Sequence, residues 1–177
     1  MPGSGFVGSK LIVENLASAI DVTDGQADLG QELARVYAMR SVEVMKTLAV
    51  TGNTVVDLRK AKGALVNATR GDWQQMQIPA GEALARLESP DAQRAIAQMA
   101  LDQANSLEVR NSAFESLAIS AKHNANLLEE AQIDAIYSLV GSDEADPGLR
   151  STAAGAYGAL NLPSRKVKSL ILDQAKS

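Results

Sequence analysis

The chain has 177 residues, 46% of them hydrophobic, and a formal net charge of −4 from 21 acidic and 17 basic residues. That length supports one sizeable core, while interspersed charge of this sign disfavours a nucleic-acid groove, which needs clustered Lys and Arg. Cysteine is absent, which removes disulfides and thiolate metal sites; no apolar run approaches the roughly twenty residues of a membrane span.

Met1-Pro2-Gly3-Ser4-Gly5 lacks the basic start and apolar stretch of a signal peptide. Gly3-Ser4-Gly5-Phe6-Val7-Gly8 spells the dinucleotide fingerprint, yet only Met1 and Pro2 precede it, so the strand that must aim a helix at pyrophosphate is missing. Residues 1–8 therefore read as a flexible or vector-derived tail. Nothing assigns a compartment.

Residues 9–20 carry Leu11, Ile12, Leu16 and Ile20 at helical spacing. After the break at 21–25, Thr23 and Gln26 have capping-box spacing and predict a long helix from about 24 to 51. Its apolar positions include Leu29, Leu33, Val36, Tyr37, Val44, Met45 and Leu48, and Gly52 suits the left-handed residue that closes it. The region 9–52 reads as two N-terminal capping helices.

Thr54 with Asp57 predicts the next helix, closed by Gly71, and Asp72 with Gln75 predicts one ending near Leu87 with a kink or late start at Pro79. Ser89-Pro90-Asp91 and Asp146-Pro147 each offer a cap and a first-turn proline. Asn126 and Glu129 open a helix that Gly141 ends, and Ser164 starts a last one over 164–175. The six aromatic residues, Phe6, Tyr37, Trp73, Phe114, Tyr137 and Tyr157, are too few for a β-sandwich core of this size.

These helices repeat. Ala95-Ile96 and Met99-Ala100 match Ala135-Ile136 and Leu139-Val140; Val109-Arg110, Ala113 and Leu117 match Leu149-Arg150, Ala153 and Tyr157 at the same offset. A period near forty predicts stacked helical hairpins, here 54–87, 90–122 and 127–160. Terminal units are expected to turn a polar face outward.

The strings Glu108-Val109-Arg110-Asn111-Ser112-Ala113-Phe114 and Gly148-Leu149-Arg150-Ser151-Thr152-Ala153-Ala154 resemble the second-helix pattern of HEAT repeats. The first unit departs from it, with Gln77 at the arginine position. The resemblance implies an all-α, right-handed α-α superhelix of HEAT-like hairpins over 53–177, with atypical N-terminal helices and a C-terminal capping helix. It also implies that second helices line a concave face, with Glu82, Arg86, Asn111, Glu115, Ser151 and Gly155 pointing outward.

The expected function is a non-enzymatic scaffold that binds a protein or peptide, with no cofactor and no metal. Trp73 reads equally as a partner anchor and as packing near Met76 and Pro79. Arg110 and Arg150, recurring in register, are expected to bond carboxylates or exposed carbonyls of an adjacent unit. His123, the one histidine, reads as a helix-end residue near its own last carbonyls, since it has no companion ligands. Ser120, three residues earlier on the same helix, does not make a nucleophile with it. Glu129-Glu130 suits a helix first turn, and Asp143-Glu144 reads as solvated charge.

Two enzymatic alternatives follow from the same resemblance. Bilin lyases and isomerases of HEAT-like build need a roomy pocket that orients a pigment. Repeat-based DNA glycosylases need a basic face and an aromatic platform, which the charge and the single Trp73 oppose.

Overall fold

The computed structural model describes residues 13–18, 29–71 and 73–162, all helix, turn or coil with no strand among them. The fingerprint at 3–8, the caps at Thr23–Gln26 and Asp72, and the helix expected over 164–175 lie outside those residues. After helical residues 13–18 (α1) come α2 (Leu29–Val50), a 3-10 turn (Leu58–Ala61) running into α3 (Lys62–Ala68), and α4 (Gln74–Leu84). Then follow α5 (Pro90–Leu101), α6 (Leu107–Asn124), α7 (Glu130–Val140) and α8 (Pro147–Ala159).

Local chemistry explains most boundaries. Gly52 takes φ +67 and ends α2, a backbone state open to glycine at little cost. Asp146 accepts from Leu149 N at 2.9 Å, and Pro147 fills the first turn, where its missing N–H costs nothing. Ser106 accepts from Val109 N at 3.4 Å to open α6.

Three starts differ from the expected ones. Asn53 accepts from Val55 N and Val56 N, so residues 53–56 form a side-chain-closed turn. Asp57 then caps the 3-10 turn, and the helix expected from Thr54 begins only there. Asn126 accepts from Leu128 N in the same way, which delays α7 until Glu129, whose reciprocal box with Gln132 opens it. Pro79 sits inside a continuous α4 instead of marking a late beginning.

The helices pair as α3 on α4, α5 on α6 and α7 on α8. Along one side α2, α4, α6 and α8 touch in succession; along the other, α3, α5 and α7 do. Between the two rows lies one core in which Phe114, Leu65, Leu84, Ile96, Leu117 and Ile136 are fully buried. Each such side chain contributes about 1.5–3 kcal/mol by leaving water. The spaces between helices are filled by alanine, with Ala80, Ala97, Ala100, Ala113 and Ala153 all at 0% exposure. These small residues let axes come close: a Cβ at Gly81 would stand 2.7 Å from Met99 Cε. The repeated Val109/Leu149 and Ala113/Ala153 pairs are all buried, which is the physical content of the forty-residue echo.

Candidate interaction surface

Neighbouring second helices are tied by polar side chains. Lys46 of α2 stands 2.7 Å from Glu82 of α4, and that carboxylate holds the Lys46 ammonium above the ordinary lysine value. Arg86, just past α4, points an N–H at His123 Nε2 of α6 at 2.8 Å. Because arginine only donates, the imidazole accepts through Nε2. Beside it, Asn124 Nδ2 donates to Leu87 O at 3.1 Å, and further along Thr152 of α8 donates to Asn111 Oδ1 of α6 at 2.6 Å.

The expected outward set therefore divides. Glu82, Arg86 and Asn111 spend polar atoms on adjacent helices, while Glu115, Ser151 and Gly155 are exposed with no polar tie of that kind. Nothing stands within 4 Å of a Cβ built on Gly155, so that point of α8 is open. His123 differs from expectation: its bond reaches a neighbouring hairpin instead of its own last turn, because the exit of α6 lies against Arg86. Trp73 precedes α4, half-buried against the core, with the Arg35 guanidinium 5.4 Å from its ring centroid.

Arg110 and Arg150 also differ in their partners. Arg110 Nε donates to Ala100 O at 3.0 Å. Arg150 Nη1 donates to Ser142 O at 3.3 Å and to Asp143 Oδ1 at 3.2 Å. The acceptors lie at the exit of the first helix of the same hairpin, where carbonyls have no intrahelical partner, and not on the adjacent unit. Gln77 does the same in the first hairpin, donating to Gly71 O at 3.0 Å, and it also reaches Asn105 Oδ1 of the second hairpin at 3.0 Å.

A further tie, toward the third hairpin, comes from a residue that sequence reasoning passed over. Gln93, fully buried in α5, donates to Ser120 Oγ at 3.1 Å and Ala125 O at 3.0 Å, and accepts from Leu127 N at 2.6 Å. The available signal was a lone amide among Ala92, Ala95, Ile96 and Ala97, where a polar residue must be satisfied or costly. Ser120 is thereby buried, its hydroxyl oxygen accepting from Gln93. Arg94 with Glu129 at 2.9 Å and Lys62 with Asp91 at 2.6 Å tie the row of first helices.

A cleft of about 340 Å³ opens between the exits of α3 and α5, lined by Arg70, Gln74, Gln77, Gln98, Met99 and Asp102 among others. Among the described residues its lining holds amides and opposite charges but no aromatic ring. Among the described residues no three His, Cys, Asp or Glu side chains gather as metal ligands, and no helix is long and apolar enough to cross a membrane. No family model, curated protein or solved structure matches the chain.

Proposed function

We infer that the chain is a non-enzymatic interaction module: a right-handed α-solenoid of HEAT-like hairpins that docks a protein or peptide along its second helices. The succession of contacts α2–α4–α6–α8, each step locked by a side-chain tie, carries this reading. A row braced in that way is a rigid wall, and a rigid wall loses little entropy when it binds. Glu115, Ser151 and Gly155 are among its exposed positions on α6 and α8, and the first two, being polar, fit a moderate, wet contact. The pigment-directed alternative gains no support from the cleft beside Gln77, whose described lining is mostly polar and carries no aromatic ring of the kind usual for such ligands.

The test is a pair of surface variants used as bait in the same extract. Glu115→Lys with Ser151→Arg alters the proposed wall; Asp134→Lys alters the opposite row. Partner capture lost in the first and kept in the second supports the module. Capture unchanged by the first, with circular dichroism intact, contradicts it.

A further inference from the structure

Gln77 is the fourth residue of α4, as Arg110 is of α6 and Arg150 of α8. In the later hairpins a guanidinium fills that place; in the first, a shorter and uncharged amide does, beside the cleft of about 340 Å³. Gln77 Nε2 donates toward Thr69 O at 3.4 Å and toward Gly71 O and Asn105 Oδ1 at 3.0 Å, so three oxygens share its two hydrogens. The side chain is 3% exposed, and its own Oε1 bonds nothing among the described residues. That unmatched acceptor deepens the shortage of donors. Carbonyls at helix exits carry partial negative charge, and the cleft lies between two such exits, with the Asp102 carboxylate in its lining. Carbonyls with a carboxylate are also what hold Arg150, on Ser142 O and Asp143.

We propose that this cleft binds a small guanidinium-bearing zwitterion, an amino acid of arginine's chemistry. Its guanidinium lies toward the helix-exit carbonyls, which keep a second lone pair, and toward Asp102. Its carboxylate pairs with Arg70, which is exposed and lines the same cleft with the opposite charge. The ligand thus supplies from outside the cation that the other two hairpins carry on their own chain. The volume stands at the small end of the roughly 300–1,000 Å³ usual for small-molecule sites, which suits a single amino acid. The site sits at the exits of first helices, so it is independent of the docking wall on α6 and α8.

Amide NMR of the whole chain, titrated with free L-arginine, tests this. Saturable shifts are expected at Gln77 and Asn105, side-chain amides included, with a Kd on the order of 1 mM. Agmatine, which lacks the carboxylate, binds several-fold more weakly. Citrulline, which carries a neutral urea instead of the guanidinium, gives no saturable shift. Asp102→Asn weakens arginine binding roughly tenfold, and Arg70→Gln removes the preference for arginine over agmatine; both side chains are exposed, so the core is untouched. Gln77→Arg fills the cleft from within, as Arg110 and Arg150 do in their hairpins, and abolishes binding with no fall in melting temperature. Absence of a saturable arginine shift overturns the proposal, as does citrulline binding as well as arginine, or arginine binding that ignores Asp102→Asn and Arg70→Gln. A Gln77→Arg chain that binds like the native one overturns it too, and so does one that melts well below it, since that place would then not admit a guanidinium.

Discussion

Arg110 and Arg150 occupy the same place in two successive hairpins, the fourth residue of the second helix, and each donates to a carbonyl at the exit of the first. The pair closes each hairpin on itself, so the recurring arginine is a fastening within the unit. Replacing Arg110 with Ala strands Ala100 O in a half-buried setting and should cost about 1–3 kcal/mol. Arg150→Ala should cost no more than about 1 kcal/mol, since its partner Asp143 is fully exposed. Urea unfolding of the two variants reads the order.

Gln93 holds the turn between the second and third hairpins by two bonds from a fully buried amide, which also donates to Ser120 of α6. Gln93→Leu keeps the volume but leaves Leu127 N and Ala125 O without that partner. A loss of about 2–4 kcal/mol is expected, with faster hydrogen exchange at the Leu127 amide.

Ala125 sits at φ +60 and ψ −169, a backbone state that suits glycine. Ala125→Gly relieves that strain, partly offset by the added freedom of the unfolded chain, and should raise stability by about 1 kcal/mol. A lower melting temperature in this variant would count against the turn geometry.

The Lys62 ammonium bonded to Asp91 holds that carboxylate below the ordinary aspartate value of 3.8. A lowered acid pKa means the pairing contributes fully above 3.8 and fades as pH falls through the folded value. The melting temperature of Asp91→Asn should therefore lie below the native one near neutral pH and converge with it in strong acid. A gap that persists in acid would assign the effect to something other than this pair.

Among the described residues Phe114 is the largest fully buried side chain, and it belongs to the middle hairpin. Phe114→Ala should cost about 3–5 kcal/mol, as large core truncations do, and calorimetry would register it as a fall in melting temperature.

Much of the helix order was legible because punctuation is local chemistry: Gly52, Pro90 and Asp146-Pro147 act within one turn of their own sequence. The starts at Thr54 and Asn126 misled because Asn53 and Asn126 close turns of their own before the helices begin, a contest that short spacing alone does not decide. On α2 buried Val42 and Met45 were not separable from exposed Leu33 and Val36 either, since apolar periodicity marks what suits burial and not which side finds a neighbour. Arg86 and His123, thirty-seven positions apart, meet only because the hairpins stack. Candidate site residues were least legible for that reason: Glu82, Arg86 and Asn111 read as free surface until their neighbours on the next helix are known.

The row α2–α4–α6–α8 can be measured directly, and the absence of native cysteine makes labelling clean. Spin labels at cysteines replacing exposed Glu43 on α2 and Ala154 on α8, in protein diluted with unlabelled chain, report one intramolecular distance. Three successive helix spacings of about 8–10 Å put the labels roughly 25–30 Å apart. A distance near a single helix spacing, with α2 folded back against α8, would contradict the row and every surface derived from it.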